Sequence, residues 1–221
     1  MSGPALPVVI LVSGRGSNME AILQGWRQGT LPIDLRAVIS NRPQAPALDK
    51  AQTSGVPTAV VDHRRYADRA AFDAELMAAI DRHHPALVVL AGFMRILTAD
   101  FIAHYSDRLI NIHPSLLPEL PGLDTHRRAL TAGHTQHGAT VHFVTPALDA
   151  GPPVLQARVP VRPDDDAETL AARVLAQEHR IYPRAIRWYA QGRLRFDGTN
   201  AWLDGQLLHE PVVDEEALHA D

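Results

Sequence analysis

The stretch VVILVSGRGSNME, residues 8–20, decides the fold of this chain. Its first five residues are apolar and mostly β-branched, which predicts a buried strand. Gly14 and Gly16 follow. Ser17 and Glu20 form the Ser-x-x-Glu pattern of a capping box, which predicts a helix from Ser17 onward. A buried strand that leads through a glycine loop into a helix is the opening unit of a doubly wound α/β fold.

The alternation of strands and helices continues through the first half of the chain. The first helix is expected to stop at Gly29. Further strands are predicted at residues 33–40, 58–62, 86–92 and 108–112, and helices at 46–55 and 69–83. The segment ALVVLAG is apolar throughout, as in a parallel strand that is covered on both faces. The pattern predicts a Rossmann-like, doubly wound, mostly parallel central sheet.

The pattern changes after about Gly138. ATVHFV alternates in polarity, with Thr140 and His142 on one face, and PVLQARVPV predicts a further strand. A long helix is predicted from about Ala167 to Ala190, with a kink at Pro183, and a small terminal hairpin around Asp197-Gly198 follows it. We therefore expect a mixed C-terminal part within one domain. Its predicted divisions are a nucleotide-binding-like half, a second half that carries the candidate catalytic residues, and an acidic tail, at residues 8–105, 106–208 and 209–221.

Composition excludes several classes of protein. The chain has 221 residues, a formal net charge of −4 and no cysteine. The acidic balance argues against a nucleic-acid binder, and the lack of cysteine excludes disulfides and thiol chemistry. The N-terminal segment lacks the basic region of a signal peptide, and no apolar run reaches the roughly 18 residues of a membrane span. A cytoplasmic protein is the expectation.

The glycine loop predicts a phosphate site of an uncommon kind. Position 19 is Met, so the dinucleotide pattern Gly-x-Gly-x-x-Gly fails, and the Walker Gly-Lys-Ser/Thr pattern is absent. Gly16, Ser17 and Asn18 nevertheless stand where free backbone amides meet the positive end of a helix dipole, which suits one phosphate. The alternative is a tight turn with an ordinary helix cap.

A second candidate site lies at the carboxyl end of the predicted strand RLINI, where Asn111 interrupts the apolar strand and His113 follows just beyond it. Asn111 and His113 are two residues apart and therefore share one side of the strand, where an amide and an imidazole can bind a developing oxyanion. Asp149 precedes the turn Ala-Gly-Pro between two later strands. If that turn returns to His113, the carboxylate favours the protonated imidazole. The alternatives are a structural histidine and an aspartate that only starts a turn.

Six motifs then establish a resemblance: SGRGSN, VVLAGFMRIL, NIHPSLLP, HGATVHFV, LDAGP and AQEHRIYP. In this order and spacing they resemble the folate-dependent formyltransferase family, from residue 8 to about 208. NIHPSLLP is shared by the wider family. SGRGSN and QEHRIYP point to the branch that acts on glycinamide ribonucleotide.

The resemblance implies a reaction of de novo purine biosynthesis. The formyl group of 10-formyltetrahydrofolate, a co-substrate, passes to the amine of 5-phosphoribosylglycinamide (GAR), with no metal. By resemblance, His113 is the proton donor and oxyanion stabiliser, Asn111 is the second donor, and Asp149 keeps His113 protonated. The implied partners are these two small molecules, without nucleic acid or membrane, and the implied assembly is a monomer or homodimer.

The resemblance also implies binding residues. For GAR they are Gly16, Ser17, Asn18 and Glu178. Glu178 interrupts an otherwise apolar stripe of the long predicted helix. For folate they are Arg69, Met94, Arg95, Ile96, Leu97, Asn111, Thr145, Leu148 and Asp149. The implied contacts of the 145–149 loop are with its backbone groups. Arg69 also fits a solvated residue in the first turn of a helix.

The chain departs from the family pattern at several positions. Asp124 replaces a frequent His and is assigned no role. Glu119 and Leu120 replace a basic and aromatic pair, and Pro146 with Ala147 replaces an acidic pair in the predicted folate loop.

Three other functions share part of the pattern. A methionyl-tRNA formyltransferase needs a basic RNA-binding tail, whereas this chain ends acidic. A formyltetrahydrofolate hydrolase usually has a regulatory domain before the sheet, whereas here the first strand begins at residue 8. A phosphosugar sensor needs the glycine loop, but it does not need Asn111, His113 and Asp149 together.

Overall fold

The computed structural model describes residues 4–214. Its first part alternates strands and helices: β1 (Leu6–Val12), α1 (Ser17–Arg27), β2 (Ile33–Ser40), α2 (Pro46–Thr53), β3 (Thr58–Val60), a 3-10 turn (His63–Arg65), α3 (Arg69–Asp81), β4 (Leu87–Leu90), α4 (Ala99–His104) and β5 (Leu109–His113). The second part contains α5 (Thr125–Thr131), β6 (Gln136–Phe143), β7 (Pro153–Pro160), α6 (Ala167–Ala190), β8 (Leu194–Phe196), β9 (Ala201–Leu203), β10 (Gln206–Leu207) and β11 (Val212–Asp214).

The central sheet has the strand order β11-β7-β6-β5-β4-β1-β2-β3. The strands from β3 to β5 are parallel, β6 is antiparallel to both of its neighbours, and β11 runs parallel to β7. The mostly parallel α/β fold with a mixed C-terminal part is therefore confirmed. The sheet changes from parallel to antiparallel pairing between β5 and β6. The loop after β6 therefore differs in kind from the loops that follow the parallel strands.

Alternate side chains of β1 enter two separate cores. Val8, Ile10 and Val12 pack in one hydrophobic cluster, and Val9 and Leu11 pack in the other, all fully buried. The first cluster includes residues of α1 and α6, and the second includes residues of α3 and α4. Because helices cover both faces of the sheet, every position of the strand is apolar.

The start of α1 is as predicted, but its cap is not. The helix begins at Ser17, and its N-cap is Gly16 in the left-handed region at φ 74°, without a side-chain cap. The predicted capping box is therefore wrong. Glu20 instead accepts a hydrogen bond of 2.7 Å from Lys50 of α2. A Cβ at Gly16 would lie 2.6 Å from Ala47 Cβ, so the close packing of the loop on α2 requires glycine.

The long helix α6 has the predicted bounds and is fastened to the sheet. A capping box between Asp166 and Thr169 starts it, and Pro183 lies within its continuous span. The Tyr182 hydroxyl lies 2.9 Å from the Leu90 carbonyl oxygen and 3.1 Å from that of Ile110. These contacts hold α6 against two neighbouring strands. The kink at Pro183 stays a prediction.

The C-terminal part contains the predicted small hairpin, β8 with β9, extended by a third strand, but it differs from the predicted tail. Strands β8, β9 and β10 form a separate three-stranded antiparallel sheet. The predicted acidic tail, 209–221, contains a strand of the central sheet, because β11 pairs with β7. Asp214 is buried there and lies 3.3 Å from Arg184, which accounts for an acidic residue inside the fold. The rest of the predicted tail, 215–221, lies outside the described residues.

Within residues 4–214, no helix has the length and apolar character needed to cross a membrane.

Candidate active site

His113 and Asp149 meet at the end of β5. His113 Nδ1 lies 3.5 Å from Asp149 Oδ2, and both side chains are about nine-tenths buried. On the other side of the ring, His113 Nε2 lies 3.0 Å from the Leu120 carbonyl oxygen. The turn after β6 thus returns to His113, which is the condition that the sequence had left open for a role of Asp149.

The loop that carries Asp149 is held in place by its backbone. Asp149 has a φ of 51°, and its Oδ2 accepts a hydrogen bond of 2.8 Å from the Gly122 amide. Gly151 packs so closely on β6 that a Cβ there would overlap the Phe143 carbonyl oxygen. The carboxylate is therefore positioned by two loops and by a glycine that no larger residue can replace without displacement.

Asn111 is paired with a histidine that the sequence interpretation assigned no role. Asn111 and His142 are direct cross-strand partners of β5 and β6, and Asn111 Nδ2 lies 3.1 Å from His142 Nε2. His142 Nδ1 lies 2.9 Å from the Phe143 carbonyl oxygen. Burial lowers the pKa of His142 to about 4, so the ring is neutral at pH 7. The polar side of β6, visible in the alternation of ATVHFV, was the available signal.

Two buried side chains brace the loop that follows His113. Thr140 Oγ1 donates to the Ser115 carbonyl at 2.6 Å and accepts from the Leu117 amide at 3.0 Å. Gln156 Nε2 donates to the Leu117 carbonyl at 2.8 Å. The sequence signal for these two residues was again a polar side chain in an otherwise apolar strand. The loop that they contact lies far away in the sequence, so the contact itself was not predictable.

A cavity of about 110 Å³ opens beside this cluster. Its lining includes Arg95, Ile96, Leu97, Asn111, His142, Thr145, Pro146, Ala147, Leu148 and Asp149. Most of the predicted folate residues are therefore brought together with two of the three predicted catalytic residues. Ile96 and Leu148 remain largely exposed, at 56% and 58%. An exposed apolar rim of this kind suits a flat aromatic ligand.

Two predicted folate residues lie elsewhere. Met94 is 60% exposed and lines the neighbouring cavity at the glycine loop. Arg69 is exposed in the first turn of α3, outside the residues that line the cavity of about 110 Å³. The position of Arg69 matches the alternative of a solvated helical residue.

The glycine loop lines a second cavity of about 210 Å³. Its lining comprises Ser13, Gly14, Arg15, Gly16, Ser17, Asn18, Arg42, Ala91, Gly92 and Met94. The first amides of a helix have no partner within the helix, so those of α1 are available to an anion. Ser13 Oγ donates to Asn41 at 2.6 Å and accepts from the Met94 amide at 2.8 Å. Ser13 thereby connects the lining of this cavity, through the Met94 amide, to the segment 94–97 that was predicted to bind folate.

Asn18 and Glu178 join the two ends of the predicted GAR site. Asn18 Nδ2 donates to Glu178 Oε2 at 2.6 Å, across 160 residues of sequence. Both side chains are buried, and Asn18 Oδ1 has no hydrogen-bond partner among residues 4–214. Burial raises the pKa of Glu178, and the bond from Asn18 opposes that rise. Buried polar atoms in a hydrophobic core are normally hydrogen-bonded. An unpaired buried oxygen beside a buried carboxylate is therefore more typical of a binding site than of a core.

The departures from the family pattern have different surroundings. Asp124 has a φ of 57° and precedes α5 as its N-cap residue, without a side-chain cap. Leu120 supplies the carbonyl that faces His113. Pro146 and Ala147 are exposed on the loop that lines the folate cavity. Within residues 4–214, no cluster of three or more His, Cys, Asp or Glu is arranged to hold a metal ion.

Comparisons with known proteins agree on one family. The family described as Formyl transferase matches residues 6–186. Phosphoribosylglycinamide formyltransferase of Escherichia coli (strain K12) is 49% identical over 201 residues, which cover 91% of this chain and 95% of that protein. The trifunctional purine biosynthetic protein adenosine-3 of Homo sapiens is 39% identical over 89% of this chain, which corresponds to 20% of that longer protein.

Solved structures show the same likeness in three dimensions. Phosphoribosylglycinamide formyltransferase from Coxiella burnetii matches with a TM-score of 0.90 at 49% identity, covering 94% of this chain and 98% of that one. Glycinamide ribonucleotide transformylase 1 from Symbiobacterium toebii matches with a TM-score of 0.88 at 44% identity, covering 91% and 95%.

Proposed function

This chain belongs to the formyl transferase family, and from that premise we propose that it transfers the formyl group of 10-formyltetrahydrofolate to the amine of GAR. The products are formyl-GAR and tetrahydrofolate. The observation that carries the proposal is the convergence of Asn111, His113 and Asp149 beside a cavity lined by the predicted folate segments. The reaction is a step of purine biosynthesis, in keeping with the name of the human relative, a trifunctional purine biosynthetic protein.

In the proposed mechanism, the chain stabilises charge and moves a proton. The amine nitrogen of GAR bonds to the formyl carbon, whose oxygen becomes negative. Protonated His113 and the Asn111 amide donate hydrogen bonds to that oxygen. The bond from the formyl carbon to folate N10 then breaks, and a proton from the attacking amine ends on N10. Asp149 keeps His113 protonated and can take part in the proton transfer.

For GAR, we propose that the phosphate binds the amides of Gly16, Ser17 and Asn18, and that Glu178 binds the ribose hydroxyls. The amide-rich cavity at the start of α1 and the buried Glu178 carboxylate support this assignment. For folate, the pteridine is assigned to the segment at 94–97 and to the loop containing Thr145, Leu148 and Asp149. Arg69 is the weakest member, because it is exposed outside the cavity lining.

The proposal includes two expectations about the whole protein: a cytoplasmic location, and a monomeric or homodimeric state. Size-exclusion chromatography with light scattering at several protein concentrations distinguishes the two states.

The experiment that tests the proposed function measures folate deformylation with GAR present and absent. We expect formyl-GAR to form only when both substrates are supplied. His113→Ala should lower kcat by about 10²–10³-fold, the usual cost of losing an oxyanion donor. Formate release that does not depend on GAR would indicate a hydrolase instead. A folded His113→Ala variant with near-normal kcat would contradict the assigned chemistry.

A further inference from the structure

His142 holds Asn111 in one orientation through a fixed tautomer. Its Nδ1 is 2.9 Å from a backbone carbonyl oxygen, which only accepts hydrogen bonds, so Nδ1 must carry the proton. In the neutral ring the other nitrogen, Nε2, is then an acceptor. The group facing Nε2 at 3.1 Å must be a donor, and in Asn111 that is the Nδ2 amine. The tautomer of one buried histidine thus determines which way the neighbouring amide is turned.

The same bond leaves Asn111 with one amide hydrogen to use. The Nδ2 group has two hydrogens, and the bond to His142 takes one of them. Asn111 and His142 both line the folate cavity, so the second hydrogen is available to a ligand there. If His142 were absent, the amide could rotate and present its oxygen instead. An oxygen would repel the negative charge that Asn111 is assigned to stabilise.

We propose that His142 is a positioning residue for the formyl transfer, acting on Asn111 through this hydrogen bond. The inference rests on the proposed function, since it assumes that Asn111 donates to the oxyanion. His142 itself neither carries the transferred proton nor contacts His113 directly among the described hydrogen bonds.

The charged and titratable groups around His142 are Asp149 and His113. Asp149 Oδ1 is 3.9 Å from His142 Nε2, beyond hydrogen-bond length, while Asp149 Oδ2 is 3.5 Å from His113. Asp149 and the backbone bond to Phe143 favour a protonated His142, but burial outweighs both, and its pKa is about 4. The Asp149 carboxylate therefore interacts with His113. The Nε2 lone pair of His142 accepts a hydrogen bond from Asn111.

The experiment compares two substitutions of similar length. His142→Gln keeps an oxygen that can accept from Asn111 and an amide that can donate to the Phe143 carbonyl, whereas His142→Met keeps neither. We expect His142→Met to lower kcat on the order of tenfold or more, with the KM of each substrate changed less than about threefold, because the interaction acts mainly in the transition state. His142→Gln should retain several times more activity than His142→Met.

A double-mutant cycle separates positioning from a general structural role. In an Asn111→Ala background, His142→Met should have almost no further effect on kcat, because its target is gone. Additive losses would overturn the proposal. An Asn111→Ala enzyme with near-normal kcat would instead refute the role of Asn111 in the proposed function. A large loss in Asn111→Ala with a silent His142→Met would overturn this inference alone.

A measurement on the unaltered protein keeps the test valid if a variant fails to fold. Imidazole ¹⁵N chemical shifts distinguish protonated from unprotonated ring nitrogens. We expect His142 to have a protonated Nδ1 and an unprotonated Nε2 at pH 7. The opposite tautomer, or a doubly protonated ring, would overturn the proposal.

Discussion

His113 has hydrogen-bond acceptors on both sides of its ring. The Leu120 carbonyl lies 3.0 Å from Nε2, and the Asp149 carboxylate lies 3.5 Å from Nδ1. A neutral imidazole has one donor and one acceptor nitrogen, so it would turn a lone pair toward one of these oxygens. The imidazolium can donate to both. Only the charged ring that the proposed mechanism uses could donate to both oxygens, and donation to the oxyanion requires His113 to exchange one of these two contacts for the substrate oxygen.

Asp149→Asn tests this dependence on charge. The substitution keeps the side-chain shape and removes an anion close to His113, so neutral imidazole is favoured. We expect kcat at neutral pH to fall steeply and the high-pH limb of the kcat–pH profile to move to lower pH. The measurement is the full profile for both proteins. Folate binding, followed by fluorescence, should persist, because the proposed folate contacts of this loop are backbone groups.

A profile that keeps its high-pH limb would contradict the assigned role of Asp149. The carboxylate would then serve as a proton relay or only as the acceptor that holds the Gly122 amide.

At the residue scale, short-range patterns were informative and long-range pairings were not. Asn111 and His113 were predictable because polar residues interrupt an apolar strand. The bonds from Asn18 to Glu178 and from Asn111 to His142 join residues 160 and 31 positions apart. Such contacts follow from strand order and helix docking, which local periodicity does not contain.

At the scale of elements, one buried hydrogen bond links the first turn of α1 to α6. Asn18 is the second residue of α1, directly after the glycine loop, and Glu178 lies on the buried face of α6. Their contact makes the phosphate end and the ribose end of the proposed GAR site a single unit. A change in either residue should therefore affect the binding of GAR and leave folate binding unaffected.

Asn18→Ala should raise the KM for GAR selectively. The substitution removes the bond to Glu178 and leaves that carboxylate buried without this donor, which typically costs about 1–3 kcal/mol of stability. Steady-state kinetics with each substrate varied in turn provide the measurement. Glu20→Ala is the matched control, because Glu20 lies in the same turn but forms an exposed ion pair with Lys50. Equal losses for both substrates would indicate that Asn18 is only a structural residue of α1.

Gly151→Ala should disturb the folate loop as a whole. The added Cβ would overlap the Phe143 carbonyl oxygen, so the loop must move away from β6 and carry Asp149 with it. We expect a higher KM for folate and a lower kcat, with a destabilisation of about 1–3 kcal/mol as for other overpacked sites. Kinetics and urea unfolding provide the measurements. Gly14→Ala is the comparison for stability alone, because an added Cβ at Gly14 would meet no atom within 4 Å and Gly14 does not have a left-handed φ.

Long elements were predictable and short ones were not. The bounds of β2 and α6 matched their sequence patterns, because eight and 24 residues give a clear period. The helices α4 and α5, with six and seven residues, were not expected. The start of α4 combines a local cap, in which the Thr98 hydroxyl accepts from the Phe101 amide, with a tertiary contact, in which Asp73 of α3 accepts a 2.6 Å hydrogen bond from the Thr98 amide. Strand β11 was also missed, because it consists of three residues in a segment assigned to the tail.

At the scale of the whole molecule, strand order creates the candidate site. The parallel strands β4 and β5 and the antiparallel β6 are neighbours in the sheet, so Gly122, which follows NIHPSLLP, meets Asp149 of LDAGP although 27 positions separate them along the chain. The sequence predicted a doubly wound sheet but not which strand reverses direction. The direction of β6 depends on its antiparallel pairing with β5. A single sequence gives no signal for the register of that pairing.

Buried neutral histidines should make the folded molecule sensitive to acid. Burial lowers the pKa of His137 and of His142 to about 4, compared with an ordinary value of 6.5. Between these values the unfolded chain binds protons that the folded chain does not, so stability is present above about pH 6.5 and is lost as the pH falls toward 4. Each such histidine contributes a slope of up to about 1.4 kcal/mol per pH unit. The raised pKa of Glu178 acts in the opposite direction.

His137→Gln isolates one of these contributions without removing the contact between Asn111 and His142. His137 lies at the start of β6 and pairs with His126, 3.1 Å away. We expect the free energy of unfolding of the unaltered protein to fall between pH 6.5 and pH 4, and the slope to be smaller in His137→Gln by up to about 1.4 kcal/mol per pH unit. Urea unfolding at half-unit pH intervals measures both slopes. His209→Gln, which removes an exposed histidine, should leave the slope unchanged. If His137→Gln and His209→Gln have the same slope as the unaltered protein, His137 is not protonated on unfolding in this range, and acid sensitivity must come from other buried groups.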